Sequence, residues 1–490
     1  MTLPGDLFAA LWQTVVPFAG AIITRPWDGR FASEFDAISQ CLEQAPDAHV
    51  PAEIEAYLKS EVVPFDCRVM LPVERAFVVM CALDAVAIAI HPAMPNRLPG
   101  LGRAPSGMLA IMKAERTATG HYADVAGVGM VVPKGHLVSR KSLRPNDVEE
   151  GSGTDLAHQF AHLTLVRHPG DGRTLRFIAP SPRKFFVSSN RADYVGLAPI
   201  AEDRDDIDFM TTKRGDRPFL DAIPKAPLLS DRITAAVTAL LDDGAGVIVL
   251  PELVGSVASA EALKIALKAR GSDTEGLILA GTGASASVDP GAHRPHNEAM
   301  LIGANGRVLA RQRKLHLFNM GINRMRECDI APATGCGSRN HMEDAAAGTE
   351  LVVCDLHGLG RVMTLICEDL QQQVPGGDLA LVLRPDWILT PVLDISQTVG
   401  RWTHSRSIEI GRKPLSRVVV SCCATLGVRM ANGDRLCDSK TAINTGICFD
   451  GTDGRRVRLI ESTGTLTPDR TIIKWESATW TQHKIVLSSV

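Results

Sequence analysis

The stretch GRVMTLICEDL, residues 360–370, decides how this chain reads. An apolar run of strand character ends at Cys367 and is followed at once by two acids, Glu368 and Asp369. Free cysteines are among the most buried residue types and most of them simply pack. One held at the end of a strand beside carboxylates has the surroundings of a nucleophile. Three further residues of suitable chemistry stand upstream, each in its own context: Glu252 in GVIVLPELVG, Lys314 in RQRKLHLF and Glu327 in MRECDI. Glu343 and Glu350 lie in the same interval as Glu327 and compete with it for the fourth place.

The set suits attack on a carbon-nitrogen bond. An amide is a poor electrophile with a poor leaving group, so its cleavage needs a nucleophile, a proton carrier for both steps, and a cation or dipoles facing the developing oxyanion. Cys367 would attack a carbonyl or nitrile carbon to give a thioester or thioimidate. Glu252, after the helix-breaking Pro251, would take the thiol proton and return it to the departing amine. Lys314, helped by the backbone N–H of Glu368, would hold the negative oxygen, and Glu327 would orient Lys314 and Glu252. His316 stands two residues past the lysine, where it lines the pocket or packs under a sheet. Two carboxylates around one lysine also give buried charges a reason to lie together, because a paired buried ion costs less than an isolated one.

Bulk properties exclude other classes. At 490 residues the chain exceeds the size at which a single core stops growing, so two or three domains are expected. With 52 basic against 55 acidic side chains, the net charge of -3 supplies no field that would collect nucleic acid or an anionic membrane. A small neutral or mixed-charge substrate is the expected partner. Eleven cysteines without a Cys-x-x-Cys pair, and an N-terminus MTLPGDLFAALW without the basic-then-apolar order of a secretion signal, point to free thiols in a reducing, cytoplasmic setting. The most apolar run, AFVVMCALDAVAIAIH from Ala76 to His91, is too short to cross a bilayer and carries Asp84 in its middle, so it reads as a buried helix.

Along the chain, residues 1–125 form a helical accessory domain; SEFDAISQCLEQ places Phe35, Ile38, Cys41 and Leu42 on one face behind a cap at Ser33. Residues 126–189 are a β-containing connecting region, in which HLTLVRHPGDGRTLRFIAP predicts a hairpin about a Gly-Asp-Gly turn and RPNDVEEGSGTD an exposed loop. From residue 190 to 490 strands and helices alternate. YVGLAPIA, GVIVLPEL, GLILAG, DWILTPV and SRVVVSCC read as strands, and SDRITAAVTALLDDG as a helix capped by Ser230; EALKIALKARG and RWTHSRSIEIG are further helices. EAMLIGANGRVLARQRKL turns at Asn305-Gly306, and ELVVCDLHGLGRVMTLIC is a second hairpin running into Cys367. Continuous apolar runs such as VIVL, LILA and VVV predict strands covered on both faces.

Two motifs imitate other chemistry. GTGASA at Gly281 to Ala286 resembles a dinucleotide fingerprint, but Pro290, Gly291 and Pro295 prevent the helix that would hold a pyrophosphate. His158 and His162, with His168 nearby, are spaced for one helix face but lack the glutamate of a zinc-protease motif.

The ordered contexts of apolar strand then PEL, RKLHLF after a hairpin, RECDI and ICED resemble the carbon-nitrogen hydrolase, or nitrilase, superfamily. The likeness extends over HNEAMLIGANGRVLARQRKLHLF and RSIEIGRKPLSRVVVSC, where Arg406 and Glu409 match a recurring arginine and glutamate after the nucleophile. It spans roughly residues 190–460. The resemblance implies an α/β fold, an αββα sandwich of nitrilase type, here preceded by a mainly helical N-terminal domain with a β-hairpin. It also implies Cys367, Glu252, Lys314 and Glu327 as catalytic residues, homodimers or larger assemblies, and neither metal nor organic cofactor. Glu368 directly after the cysteine is more similar to the glutaminase domains of NAD synthetase and turns the expected substrate toward amides. LQQQVPGG replaces the aromatic-rich Arg-Phe-Pro-Glu run common after the nucleophile, and the C-terminal GTDGRRVRLIESTGTLTPDRTIIKW has no counterpart. A rival reading is a sensor or interaction protein, in which the sandwich binds a small metabolite and the N-terminal 190 residues carry the output.

Overall fold

The computed structural model describes residues 2–24, 29–59, 72–91, 106–135, 156–170, 172–181, 183–225, 228–271, 273–286, 288, 294–434, 443–451, 457–462, 470–474 and 481–485, the last three spans as backbone. The RPNDVEEGSGTD segment lies outside them. Contacts divide the chain into one unit of Met1–Asp171, Phe177–Ser181 and Leu379–Pro385, and a second of Gly172–Arg176, Pro182–Asp378 and Asp386–Val490.

In the first unit, helices Pro4–Val15, Gly29–Gln44, Ala52–Lys59, Pro72–Val86 and Gly107–Thr119 share one core with an antiparallel sheet of β1 (Ala123–Val125), β2 (Gly129–Pro133) and β3 (Leu163–Val166). Residue 126 is therefore no boundary. The strands after it bury Val131, Leu163 and Leu165 in the same apolar cluster as Phe8, Ile38 and Phe77, which neither part could cover alone. Phe160 sits among Phe8, Trp12 and Phe77, with ring centroids 5.2, 5.7 and 6.1 Å away. The stretch Pro4–Ile23 is apolar and long enough to cross a membrane by length and composition, yet Leu7, Phe8, Leu11, Trp12 and Val15 spend their apolar surface on this core. Helix Gly29–Gln44 starts a turn earlier than a cap at Ser33 would place it.

The apolar run from Ala76 is a buried helix, as predicted, and Asp84 is used rather than merely tolerated. Its carboxylate accepts the N–H groups of Ala161 (2.8 Å), His162 (2.8 Å) and Leu163 (2.7 Å), satisfying the backbone that leads into β3. HQFAH is accordingly no helix face for paired imidazoles; only Leu156–His158 form a short 3-10 turn.

The second unit contains most of β4 (Thr174–Ile178), whose last two residues count with the first unit, and β5 (Tyr194–Leu197), β6 (Ile207–Arg214), β7 (Arg217–Pro224), β8 (Val247–Val249), β9 (Leu277–Ala284), β10 (Asn297–Gly303), β11 (Val308–Arg313), β12 (Asn319–Met320), β13 (His341–Glu343), β14 (Glu350–Leu356), β15 (Gly360–Thr364), β16 (Trp387–Val392), β17 (Arg417–Cys422), β18 (Ile443–Asp450), β19 (Val457–Ser462), β20 (Arg470–Lys474) and β21 (Thr481–Ile485). They form two seven-stranded sheets, ordered β11-β10-β9-β8-β5-β20-β21 and β19-β18-β17-β16-β15-β14-β4, and a four-stranded sheet β12-β13-β7-β6. Each large sheet has a parallel centre, β5-β8-β9 in one and β15-β16-β17 in the other, flanked by antiparallel strands. These centres are the continuously apolar runs, buried on both faces.

Helices Leu228–Asp242 and Val257–Ala269 pack their apolar faces on Ile248, Ile278 and Ile302 of the first sheet, and helix Trp402–Arg412 packs on β17 and β18 of the second. The opposite faces of the two sheets meet, with the Glu252 N–H donating to the Val392 carbonyl at 3.4 Å. The order of layers is helix, sheet, sheet, helix, the αββα sandwich expected. Three local expectations need correction. HLTLVRHPGDGRTLRFIAP is not a hairpin: Gly172 turns the chain with φ +82°, but β3 pairs with β2 while β4 becomes an edge strand beside β14. Ser230 lies inside its helix rather than capping it. The border foreseen at residue 190 falls near 182, because Phe185 and Val187 already belong to the second unit.

Replacing Asp84 by Ala should lower the thermal midpoint of the full chain, because three buried N–H groups lose their acceptor at a cost on the order of 3 kcal/mol. An unchanged midpoint in thermal unfolding followed by circular dichroism would refute this account of the buried carboxylate.

Candidate active site

Parallel strands present their carboxyl ends at one edge, and the open positions there are where ligands bind in α/β sheets. Here the ends of β8 and β15 face each other across the sandwich. Glu252 follows β8 after Pro251, and Cys367 follows β15. Both side chains are buried, and the thiol and the carboxylate lie close enough to shift each other's proton affinity.

The cysteine occupies a strained turn. Its φ of 47° and ψ of -104° are rare for a residue with a side chain, and such conformations persist only where surrounding structure enforces them. The enforcing contacts are visible. The Cys367 N–H donates to Pro391 O at 2.9 Å, and Leu370 N–H donates back to Cys367 O at 2.9 Å. Asp369, itself buried, accepts the N–H groups of Ile366 (3.3 Å), Leu315 (3.0 Å) and His316 (2.8 Å). Arg406, on helix Trp402–Arg412, donates to Leu370 O at 2.9 Å from the other side. One carboxylate thus joins the nucleophile turn to the chain just past Lys314.

Lys314 is 1% exposed, and its ammonium donates to Glu252 Oε1 at 2.8 Å and Glu343 Oε2 at 2.6 Å. Asn297 Nδ2 bridges the same two carboxylates, at 2.9 Å to Glu252 Oε1 and 2.8 Å to Glu343 Oε1. Leu393 N–H donates to Glu252 Oε2 at 2.9 Å and Phe318 N–H to Glu343 Oε2 at 3.0 Å. Glu252 therefore receives Lys314, Asn297 and Leu393, all of them donors. Such a ring fits an ionised carboxylate, which only accepts.

The electrostatics follow from burial. Burial pushes the Glu252 proton affinity upward, with Lys314 opposing and Glu343 reinforcing. For Lys314 burial disfavours the charge, but the Glu252 and Glu343 carboxylates outweigh it and hold the ammonium protonated well above the ordinary lysine range. Burial and the Glu252 charge push the Cys367 thiol far up, so it rests protonated. A protonated thiol acts as a nucleophile only where a neighbouring base can take its proton, and Glu252 is the group beside it.

Of the six residues singled out in sequence, the structure brings three together: Cys367, Glu252 and Lys314. Glu327 is a correction. It ends the short helix Ile322–Glu327 with its side chain 49% exposed and pairs with Arg324 at 3.3 Å. Glu343 holds the fourth place instead, because β13 pairs in parallel with β7 and so runs past the ammonium. His316 does not line the cavity either: its Nδ1 lies 3.0 Å from Asp369 Oδ1, which fixes the ring in the loop. The Glu368 side chain accepts from Gln372 Nε2 at 2.6 Å, away from the cavity lining. Sequence reasoning passed over Asn297; it named Glu343 only as a rival of Glu327 and Asp369 only as an acid beside the cysteine, without the roles they hold here. Among the described residues no cluster of side chains is arranged to hold a metal ion.

Above Cys367, Glu252 and Lys314 lies a cavity of about 660 Å³. Its far wall is the four-stranded sheet, with Leu220 and Phe209 from the β6–β7 hairpin and Phe318 and Met320 from β12 and its approach. Replacing Asp369 by Ala should destabilise the second unit by about 2–3 kcal/mol and loosen the nucleophile turn, because buried N–H groups on both sides lose one shared acceptor. Urea unfolding checks the first effect and the rate of Cys367 alkylation the second; wild-type values for both would reject the role given to this carboxylate.

No family model and no curated protein matches the sequence. Among solved structures the chain is similar to a glutamine-dependent NAD+ synthetase from Acinetobacter baumannii, at 14% identity and a TM-score of 0.37 over 61% of this chain and 48% of that one. It is similar to Nit3 of Saccharomyces cerevisiae, a member of branch 10 of the nitrilase superfamily, at 12% identity and a TM-score of 0.36 over 57% and 89%. It is likewise similar to an amidase from a Nesterenkonia species, at 13% identity and a TM-score of 0.34 over 58% and 90%. The chain spans about half the length of the synthetase.

Proposed function

We propose that this protein is a thiol-dependent carbon-nitrogen hydrolase of the nitrilase type that cleaves small amides. The observation that carries the reading is the buried Cys367 thiol lining one cavity with Glu252, which shares the buried Lys314 ammonium with Glu343.

As Cys367 Sγ bonds to the amide carbon, its proton passes to Glu252 and the carbonyl electron pair moves to oxygen. Lys314 has a third N–H beyond the two spent on Glu252 and Glu343, and this one meets the oxyanion. Collapse of the tetrahedral species expels the amine, which takes the proton from Glu252 and leaves a thioester on sulfur. Water then attacks the thioester, giving its proton to Glu252; the acid departs and the thiolate recovers its proton. Glu343 and Asn297 touch no reacting atom in this sequence. They position Lys314 and Glu252.

Cys367→Ala should abolish ammonia release from amide substrates with the fold intact. Glu343→Gln should lower kcat on the order of 10²-fold through misplacement of the ammonium. Glu327→Gln, an exposed change, should stay within about twofold of wild type. Steady-state ammonia release decides all three, and mass spectrometry of Cys367 after iodoacetamide checks that the thiol is reachable. A Cys367→Ala variant with full turnover, or a thiol inert to iodoacetamide together with no ammonia from any amide, would sink the proposal and favour a binding protein.

The base must be ionised to accept the thiol proton, and burial raises its proton affinity. Activity should therefore fall as pH drops through the raised Glu252 value. The acid limb of kcat/KM should sit above 4.5, the ordinary carboxylate value. A limb at or below 4.5 would show that Glu252 is not the base.

A further inference from the structure

Strand register sorts the wall of the cavity into two faces of opposite character. Glu343 stands opposite Leu220 in the parallel pairing of β13 with β7, and residues directly opposite in a ladder share a face. Side chains alternate along a strand, so Ala222 joins Leu220 and His341 joins Glu343. Phe209 lies opposite Ala222, and Met320 opposite His341. The face that carries the Glu343 carboxylate therefore also carries Phe209, Leu220, Ala222 and Met320, and all of these border the cavity.

The charges of this sheet belong to its other face. Phe219 and Asp221 alternate with Leu220 and Ala222, and the pairing of Arg214 with Arg217 puts Arg214 on their side. The Arg214 and Arg294 guanidinium groups lie over the Phe219 ring, 5.0 and 4.5 Å from its centroid, and Asp344 closes on both.

Two further apolar residues are tied to the reacting groups themselves. The Phe318 N–H donates to Glu343 Oε2 at 3.0 Å and the Leu393 N–H to Glu252 Oε2 at 2.9 Å, which puts each residue one hydrogen bond from a carboxylate that holds Lys314. Both border the cavity, and with Phe209 they pack against Leu220 and Met320 in one cluster. Phe209, Phe318 and Leu393 are only half-buried, so part of their apolar surface stays uncovered. An apolar strip thus begins at the catalytic carboxylates and runs out along the sheet.

We propose that this strip receives the acyl part of the substrate, so that the preferred substrates are primary amides of medium-length apolar acyl groups. The assignment rests on the amide-hydrolase reading above and deepens it. An alkyl chain laid on the strip removes apolar surface of both partners from water, whereas a charged tail in the same place would give up its hydration without a partner. The cavity, about 660 Å³, lies in the range that receives drug-sized molecules, so an acetyl group would leave most of it to water.

The test is a chain-length series of acetamide, butanamide and hexanamide on the full-length protein, with 5-aminopentanamide and glutaramate as charged counterparts of hexanamide. In the wild type, kcat/KM should rise about threefold for each added methylene, the gain expected from burying it. Hexanamide should exceed both charged amides by about tenfold or more. The rise per methylene, measured within each variant, should shrink toward one in Leu220→Ala and persist in Leu220→Met, which keeps the apolar bulk. A second readout needs no turnover: 1-hexanol should slow alkylation of Cys367 by iodoacetamide at lower concentration than 1-propanol does, and Leu220→Ala should narrow that difference. A flat or falling chain-length series in the wild type, or a preference for either charged amide, overturns the proposal even if Leu220→Ala fails to fold. Should no amide be hydrolysed, the amide-cleaving reading fails by itself and the alcohol comparison decides whether the strip binds alkyl chains; equal protection by both alcohols, or a thiol that iodoacetamide never reaches, overturns it.

Discussion

A lysine ammonium buried between two glutamates is the interaction on which the second unit depends. Removing such a charge from water costs several kcal/mol, and attraction repays it only when geometry is good and every remaining donor and acceptor is used. Lys314 meets both conditions through Glu252, Glu343 and the bridging Asn297 amide. The partners come from the end of β8, the end of β11, the start of β10 and the end of β13. Losing Lys314 leaves two buried carboxylates without a cation, and losing either glutamate removes half of the ammonium's pairing, so the triad ties the first large sheet to the four-stranded sheet more stringently than apolar contact would.

Burial beside the same triad explains why the thiol rests protonated. Low-pKa cysteines owe their reactivity to nearby positive charge that stabilises the thiolate. Here the Lys314 charge is already spent on carboxylates, and the balance around sulfur is set by burial and by the Glu252 anion. Such a thiol is not ionised at rest, and oxidation follows thiolate character, so it is shielded from stray oxidants. The strained backbone at Cys367 serves this arrangement by turning the sulfur toward Glu252 while Asp369 and Arg406 brace the turn from two sides.

How much of this was legible in the sequence depended on range. Cys367, Glu252 and Lys314 end or border apolar strands, so local pattern placed them, and their shared requirement for chemistry joined them. Both the Asn305-Gly306 hairpin and the continuous strands are local signals too. Glu343 was hidden because it stands in an irregular segment with rival glutamates, and only the parallel pairing of β13 with β7 selects it. A cue existed upstream: IDFMTTKRGDRPFLDAIP has two strand-like runs about Gly215-Asp216, and Gly215 adopts φ +56° there, as a two-residue hairpin turn requires. Asn297 before a hairpin looks like turn chemistry rather than a bridge. The failed hairpin at residues 162–180 shows the same limit, since its turn was read correctly but partner choice for β3 and β4 is non-local.

The distribution of roles over sheets has a consequence for how such a site changes. The floor is made by strand ends of two seven-stranded sheets, whose central strands are buried on both faces and whose ion pairs admit no substitution without an unpaired charge. The wall belongs to the β6–β7 hairpin and its short partners, where Arg214, Arg294 and Asp344 form a self-contained ion trio clamped on Phe219. That trio satisfies itself, so it fixes the shape of the wall without committing the polarity of the cavity. Neighbouring positions such as Asp221 and Phe209 are then at liberty to vary in charge and bulk. The floor and the wall of the cavity are separate pieces of backbone, joined at β13, which ends in Glu343 on the floor and leads directly into Asp344 in the wall.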